Sequence, residues 1–142
     1  MSKVEAIKNI LKNSDVLENE ALKQYSYTKT GGNADILVRV KSEEDFQNII
    51  KYSNDNNIDL TILGNGSNVL ISDAGIRGIV VITSELNNIS LTDDNVLTCY
   101  AGTTLEELAD FCIENSLTNL EFSCGIPGSV GGAIFMNAGA YG

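Results

Sequence analysis

The stretch Leu60-Thr61-Ile62-Leu63-Gly64-Asn65-Gly66-Ser67-Asn68, residues 60–68, joins a short apolar run to a polar loop with two glycines. Glycine reaches positive φ angles at no steric cost, so successive N–H groups of such a loop can converge and bind an anion. No Lys or Arg lies between Asp59 and Ile76, so dipoles and not cations would hold that anion. A polar hairpin turn explains the same pattern, and the pentapeptide alone does not decide between the two interpretations. The candidate anion-binding residues are Gly64, Asn65, Gly66, Ser67 and Asn68.

The segment before the loop has the pattern of a βαβ unit. Residues 35–40 are mostly apolar and predict a strand that is covered on both faces. Ser42, with Asp45 three residues on, predicts the start of a helix over 43–54, and residues 60–63 predict the next strand. This order predicts parallel strands with a right-handed crossover, and it puts the loop at the carboxyl end of a strand, where ligands of α/β sheets usually lie.

The regions on either side of this unit have other patterns. Apolar residues at helical spacing predict a helix over 2–13, and we expect residues 1–24 to form an N-terminal helical segment that ends in a short turn. Beyond the loop, four β-type runs predict a meander in a mainly antiparallel sheet. These runs cover 69–72, 78–83, 89–91 and 96–100.

A third helix is expected after this meander. Thr103 or Thr104 is the expected N-cap, and a buried stripe follows it at helical spacing. The stripe consists of Leu105, Leu108, Ala109 and Cys112. The change of pattern near residue 70 predicts an α+β fold of two lobes, a small βαβ lobe over 25–68 and a mainly antiparallel sheet with helices over 69–142.

A second glycine-rich block lies near the end of the chain. Between Leu117 and Gly142 the only charged residue is Glu121, and Ile126-Pro127-Gly128-Ser129-Val130-Gly131-Gly132-Ala133 contains the only proline. Small residues let another backbone or a flat ligand approach closely. A packing crossover inside the core is one interpretation, and a cofactor cradle is the one that we favour. Because a domain normally finishes in a polar tail, we also expect that this chain is cut from a longer protein.

The composition indicates an ordinary globular protein and argues against several partners. Hydrophobic residues make up 43% of the chain and charged residues 20%, as is typical of such domains. A formal charge of −10 argues against nucleic acids and anionic membranes, which bind basic surfaces. The N-terminus lacks the apolar core of a signal peptide, so a cytoplasmic location is expected.

The chain has no histidine, which excludes Ser–His and Cys–His catalysis within it. Cys99, Cys112 and Cys124 have no CxxC spacing, so we expect neither a metal site nor a disulfide framework. We interpret all three as core or near-core thiols.

Taken together, several motifs resemble those of the UDP-N-acetylmuramate dehydrogenase family, also called UDP-N-acetylenolpyruvoylglucosamine reductases. The motifs are Thr30-Gly31-Gly32-Asn33-Ala34-Asp35, the loop 63–68, Gly75-Ile76-Arg77-Gly78, Ala101-Gly102, the block 124–133 and Met136-Asn137-Ala138-Gly139-Ala140-Tyr141-Gly142. The resemblance begins near Tyr25 and implies a two-lobed FAD-binding domain of the vanillyl-alcohol-oxidase type. It implies that Gly64–Asn68 hold the FAD pyrophosphate. It also implies that Ile126, Pro127, Gly128, Gly131, Gly132 and Ala133 line the flavin, with Asn137 and the Gly139–Gly142 end nearby.

The resemblance also implies an activity that this chain does not complete. In the family NADPH reduces the flavin, which then gives hydride to the enolpyruvyl double bond of a UDP-sugar on the route to peptidoglycan. The family's substrate-binding domain and catalytic residues have no counterpart in residues 1–142, so we assign no catalytic residue. Two alternatives stay open, the FAD-binding domain of another vanillyl-alcohol-oxidase type oxidoreductase and an inactive, truncated binding module.

Overall fold

The N-terminal part of the chain forms a helix followed by a strand. The computed structural model describes residues 2–141, so the Met1 and Gly142 ends of the patterns above lie outside it. Helix α1 (Lys3–Ile10) begins at Ser2, and strand β1 (Asp15–Ala21) follows it. The prediction of a helical segment over 1–24 is therefore wrong at Asp15–Ala21, which form strand β1. Its polar sequence shows no clear alternation, and pairing with a neighbouring strand decides its structure.

A four-stranded mixed sheet organises the first half of the molecule. Strand β2 (Asn33–Arg39), helix α2 (Glu43–Asp55), strand β3 (Leu60–Leu63) and strand β4 (Ile76–Ile82) follow in the chain. The strand order is β1-β2-β4-β3, with β1 antiparallel to β2 and the other neighbours parallel. The strand–helix–strand unit and its parallel direction are confirmed, although β4 lies between β2 and β3.

Strand β4 corrects the predicted antiparallel meander. It pairs in parallel with both neighbours, and all its residues from Ile79 to Ile82 are buried. Such a continuous apolar run is typical of a parallel strand covered on both faces. The four-stranded sheet thus extends past residue 68, and the exact boundary between the lobes stays a prediction.

The second half contains a small hairpin and two helices. Strands β5 (Ile89–Leu91) and β6 (Leu97–Cys99) form an antiparallel pair, as predicted, and helices α3 (Leu105–Glu114) and α4 (Val130–Phe135) follow. Residues 69–72, predicted as a strand, form an irregular segment instead. Thr104 is the N-cap of α3, and the predicted buried stripe of this helix is confirmed. The α+β fold class is likewise confirmed.

The faces of the four-stranded sheet pack into two separate clusters. On one face Ile36, Val38 and Val81 pack with side chains from α1 and α2. On the other, Leu37 and Val80 pack with Leu22, Leu63 and Ile71, since successive side chains of a strand point to opposite faces. The second cluster fixes Leu63, the residue from which the glycine loop departs.

A buried carboxylate joins the α1–β1 connection to α2. Asp45 is fully buried and accepts hydrogen bonds from the N–H groups of Lys12, Asn13 and Ser14 and from the Ser14 hydroxyl, at 2.7–3.0 Å. Burial by itself would raise the pKa of Asp45, but these four donors outweigh it and hold that pKa below its usual range. The predicted N-cap Ser42 accepts from Asp45 N–H at 3.2 Å.

The three cysteines differ in exposure. Cys112 is buried and Cys99 half-buried, and burial raises the pKa of both thiols, which keeps them protonated and inert. Cys124 is exposed, so its placement in or near the core is wrong. It follows a short 3-10 turn (Glu121–Ser123) on the surface. Within residues 2–141, none of the helices has the length and apolar character that a bilayer crossing requires.

Candidate functional site

The two glycine-rich segments meet at one cavity of about 800 Å³. Its wall contains nearly all the residues that the sequence singles out. These are Gly64, Asn65, Gly66, Ser67, Asn68, Ile126, Pro127, Gly128, Gly131, Gly132 and Ala133. Asn137, the remaining candidate, is exposed, has a φ of +48° and is not among the lining residues. Segments about sixty residues apart in sequence thus form one site.

The Gly64–Asn68 loop leaves the carboxyl end of β3 and turns sharply at Gly66. Gly66 is buried and has a φ of +64°. A methyl group at this position would overlap the carbonyl oxygen of Tyr25, far inside the 3.0 Å that real Cβ atoms keep. The Gly66 carbonyl in turn accepts a hydrogen bond from Tyr27 N–H at 3.0 Å. Glycine at this position is therefore required by both backbone angle and space.

The backbone N–H groups of this loop are unpaired. Within residues 2–141, none of the N–H groups of Asn65, Gly66, Ser67 and Asn68 donates a hydrogen bond. Asn65 and Asn68 are exposed, but Gly66 is buried and Ser67 half-buried. Because buried backbone donors are almost always paired, unpaired ones at this position on a cavity wall indicate a place for an acceptor. This is the arrangement that an anion-binding nest requires.

Direct contacts join the second glycine segment to the first. Ser67 Oγ donates to the carbonyl of Pro127 at 3.0 Å. Gly128, with a φ of +149°, lies beside the same hydroxyl, since a Cβ there would be 3.2 Å from it. Ser129 is buried, caps α4 through Gly132 N–H at 3.3 Å, and occupies the space that a methyl group on Gly64 would need.

Backbone hydrogen bonds fix the second segment against the start of α3. Gly131 N–H donates to the carbonyl of Ala101 and Val130 N–H to that of Thr103, both at 2.8 Å. Leu105 N–H donates back to the Gly128 carbonyl at 3.0 Å. A Cβ on Gly131 would lie 2.7 Å from that of Ala101, so glycine is what allows the two backbones to approach.

None of the described lining residues carries a charged or titratable side chain. The nearest predicted cation, Arg77, does not line the cavity. It pairs with Asp35 at 2.6 Å and donates to two backbone carbonyls. The described residues of the wall can therefore bind and orient a ligand, but none of them has a carboxyl, amino or thiol group that could act as an acid or a base. Nor does any cluster of three or more Cys, Asp or Glu side chains among residues 2–141 form a metal site.

Sequence reasoning missed part of the cavity wall. Thr83 is buried at the end of β4, and its N–H and hydroxyl both donate to the Leu63 carbonyl, at 3.0 and 3.3 Å. Leu63, Ala101, Ser129, Met136 and Ala138 also line the wall and lie within motifs quoted from the sequence, although no site role was assigned to them. The other missed residues are apolar, namely Phe46, Leu60, Ile62, Val69, Leu105 and Phe135. Their types are those of ordinary core residues. The only sequence feature that indicated any of them was the uncharged run around Phe135. The Phe135 side chain is 88% exposed in the structure.

Comparison with known proteins agrees with this geometry. The family model described as the FAD binding domain matches residues 34–142. The UDP-N-acetylenolpyruvoylglucosamine reductase of Staphylococcus aureus (strain COL) is 44% identical over 138 residues, which is 97% of this chain and 45% of that protein. The chain thus spans less than half the length of this relative. The resemblance that the motifs indicated is confirmed.

Solved structures give the same result for the fold. The crystal structure of UDP-N-acetylenolpyruvylglucosamine reductase from Thermus caldophilus matches with a TM-score of 0.68 and 30% identity, over 92% of this chain and 44% of that one. An alkyldihydroxyacetonephosphate synthase matches with a TM-score of 0.71 at 16% identity, over 96% of this chain and 29% of that one. The second match shows the shared fold alone. With a family model that covers residues 34–142 and a cavity built by the two glycine segments, this chain belongs to the FAD-binding domain family.

Proposed function

We propose that the cavity holds FAD and that the Gly64–Asn68 loop binds its pyrophosphate. The observation that carries this proposal is the run of four free N–H groups from Asn65 to Asn68 on the cavity wall. A pyrophosphate supplies several oxygen acceptors within the reach of such a loop, and hydrogen bonds to a charged acceptor are the stronger kind. The cavity also lies within the range of about 300–1,000 Å³ that small-molecule sites occupy.

The second glycine segment is the proposed wall for the flavin ring. Gly128, Gly131 and Gly132 present backbone without side chains, and Ile126 and Ala133 pack in the apolar cluster beneath α3. A flat ring can approach such a surface closely, and the apolar neighbours exclude water from it. Pro127 fixes the entry to this segment, and its carbonyl accepts from Ser67. Asn137, at the end of the segment, stays a proposed contact of the cofactor.

We further propose that the chain is the FAD-binding part of an NADPH-dependent reductase that acts on UDP-N-acetylenolpyruvoylglucosamine. The 44% identity to a reductase of that name supports this. FAD supplies hydride transfer when bound, from NADPH to the enolpyruvyl group of the sugar. Because none of the described cavity residues has an acidic or basic side chain, we propose that the proton for the product comes from a part of the complete protein outside these 142 residues. The product, UDP-N-acetylmuramate, is a precursor of peptidoglycan, so the reaction would support cell-wall growth, cell shape and cell division. The proposed location of the protein is the cytoplasm.

The rival assignment is an oxidoreductase of the same fold with another substrate. Such enzymes match this chain in fold, but the example above is only 16% identical. A match in fold alone, at that identity, gives no information about the substrate. The reductase relatives match in sequence as well as fold, which makes theirs the better supported activity.

The decisive experiment uses the complete protein that contains this chain, purified and assayed for its flavin spectrum and for NADPH oxidation. We expect flavin absorbance bands and NADPH oxidation that depends on the UDP-enolpyruvyl sugar. FMN, which lacks the pyrophosphate and adenosine, should bind much more weakly than FAD. A protein that neither carries nor takes up FAD contradicts the cofactor assignment. A flavoprotein that ignores the sugar contradicts the reductase assignment and leaves the cofactor site intact.

A further inference from the structure

A polar segment that precedes β2 encloses the Gly66 turn. Tyr27 N–H donates to the Gly66 carbonyl at 3.0 Å. The Tyr25 carbonyl and the Ser26 Cα, which would be 3.1 Å from a Cβ on Gly66, occupy the space on its other side. The segment Tyr25–Thr30 is therefore a template against which the Gly66 turn is shaped, although it contributes nothing to the cavity wall.

The buried hydroxyl of Ser26 fixes the shape of this segment. Ser26 is only 1% exposed, and its Oγ donates to the Thr30 carbonyl at 2.9 Å and accepts from Thr30 N–H at 3.3 Å. The Thr28 hydroxyl lies 3.1 Å from Ser26 Oγ and 2.8 Å from the Thr30 hydroxyl. These hydroxyls form a chain in which each donates to the next, ending on the Thr30 carbonyl. Hydrogen bonds arranged in this way strengthen one another.

Both ends of the segment are anchored to other parts of the fold. Tyr25 N–H donates to the carbonyl of Leu22, a fully buried residue. Just after the segment, Gly32 N–H donates to the Ser72 carbonyl at 2.9 Å. With both ends fixed, the conformation between them depends on the hydroxyl chain and on the turn that Lys29 N–H closes onto the Ser26 carbonyl.

We propose that Ser26 is a positioning residue for the cofactor's phosphates, because its hydroxyl fixes the Tyr25–Thr30 segment that shapes the Gly66 turn. The inference rests on the proposed function, since it presumes that the loop from Asn65 to Asn68 binds the pyrophosphate. Removal of the hydroxyl leaves the N–H and carbonyl of Thr30 without their partner. The segment then relaxes, the Tyr27–Gly66 hydrogen bond loosens, and the free N–H groups no longer converge.

The test compares Ser26→Ala with a matched change elsewhere. Ser53 is also buried, at 3% exposure, and its hydroxyl also donates to a backbone carbonyl, that of Ile58 at 2.6 Å. It lies at the end of α2 and does not line the cavity. Ser53→Ala therefore reports the general cost of losing a buried hydroxyl. The complete protein that contains this chain is titrated with FAD, and amide hydrogen exchange of Tyr27 and Thr30 is measured without FAD, in both variants and the wild type.

The expected result is a loss of FAD affinity of about tenfold in Ser26→Ala, the equivalent of one to two loosened hydrogen bonds. Amide exchange of Tyr27 and Thr30, whose N–H groups bond to the Gly66 carbonyl and to Ser26 Oγ, should accelerate in this variant while the sheet strands stay protected. Ser53→Ala should bind FAD as the wild type does. If Ser26→Ala and Ser53→Ala bind FAD equally well, the positioning role is refuted, whereas a wild type that does not bind FAD refutes the proposed function instead.

Thr28→Val is a second test, and it does not require the substitution of a buried residue. Thr28 is exposed, so this variant keeps the core intact while it interrupts the hydroxyl chain. We expect a smaller loss of FAD affinity in the same direction, together with faster exchange of the Tyr27 N–H that bonds to the Gly66 carbonyl. Wild-type affinity and exchange in Thr28→Val would count against the hydroxyl chain even if Ser26→Ala failed to fold.

Discussion

Replacement of Gly66 by alanine is the sharpest test of the loop. A residue with a Cβ pays about 1–2 kcal/mol to hold the φ of +64° that this position has. The new methyl group would also overlap the Tyr25 carbonyl and lie 3.1 Å from Ser26 Cα. Both neighbours are backbone atoms and cannot swing aside as a flexible side chain would. The Gly66 turn must therefore move by several tenths of an ångström.

Such a movement spoils hydrogen bonds that depend on distance and direction. Each hydrogen bond to a charged acceptor contributes about 1.5–3 kcal/mol, so the loss of one lowers FAD affinity by at least about tenfold. Titration of the chain with FAD, followed by flavin fluorescence or absorbance, measures this directly. Thermal unfolding without FAD should show a modest loss of stability in the same variant.

Two control variants separate this effect from others. Gly125→Ala adds a methyl group at a φ of +83° where no atom lies within 4 Å and outside the cavity wall, so it reports the backbone cost alone, and we expect a much smaller loss of FAD affinity than in Gly66→Ala. Arg77→Ala removes the cation nearest to the loop in sequence, and we expect little change because Arg77 pairs with Asp35 outside the cavity. If Arg77→Ala weakened FAD binding more than Gly66→Ala, the argument that dipoles hold the anion would be wrong.

Three further predictions concern salt, pH and packing. Since none of the described residues that line the cavity is a cation and the chain carries a formal charge of −10, FAD affinity should not fall when salt rises about tenfold, and a steep fall would reveal a cationic contact. Because the pKa of Asp45 is lowered in the folded state, its contribution to stability is present above its unfolded pKa of about 3.9 and is lost as the pH falls through the lower folded pKa. Asp45→Asn should lower the free energy of unfolding by about 2 kcal/mol at neutral pH and make it less dependent on acid pH, as measured by chemical denaturation. The control Asp110→Asn, on the exposed face of α3, should have neither effect. Gly64→Ala should be destabilising alone but much less so together with Ser129→Ala, which removes the hydroxyl that it would overlap, and strict additivity in the double-mutant cycle would contradict that contact.

The local patterns predicted much of this fold from sequence. The strand–helix–strand unit, the N-cap at Ser42 and the buried stripe of α3 each depend on neighbours within a few residues, and the structure confirms them. Strand β1 was missed because its sequence is polar and only pairing with β2 makes it a strand. Strand β4 was assigned to the wrong sheet for a related reason. Its apolar run predicts a strand, but nothing local states which neighbours it pairs with.

The two segments of the candidate site were found in the sequence through their glycines. Glycines with a positive φ or a close backbone neighbour leave a trace in sequence, and both segments that meet at the cavity were found by it. Their mutual contact, such as Ser67 with the Pro127 carbonyl, could not be predicted because it links residues sixty positions apart. Thr83 and Phe46 carry no such trace, since threonines and phenylalanines at such positions are ordinary packing residues.

The central claim is that unpaired backbone N–H groups bind the cofactor's phosphates. The most direct measurement follows the amide resonances of the ¹⁵N-labelled chain by NMR while FAD is added. We expect the signals of Asn65, Gly66, Ser67 and Asn68 to shift most strongly downfield, as they do when an N–H acquires a charged acceptor, with smaller changes around Gly128–Gly132. FAD binding that leaves these four signals in place, and instead shifts those around Arg77, would contradict this assignment.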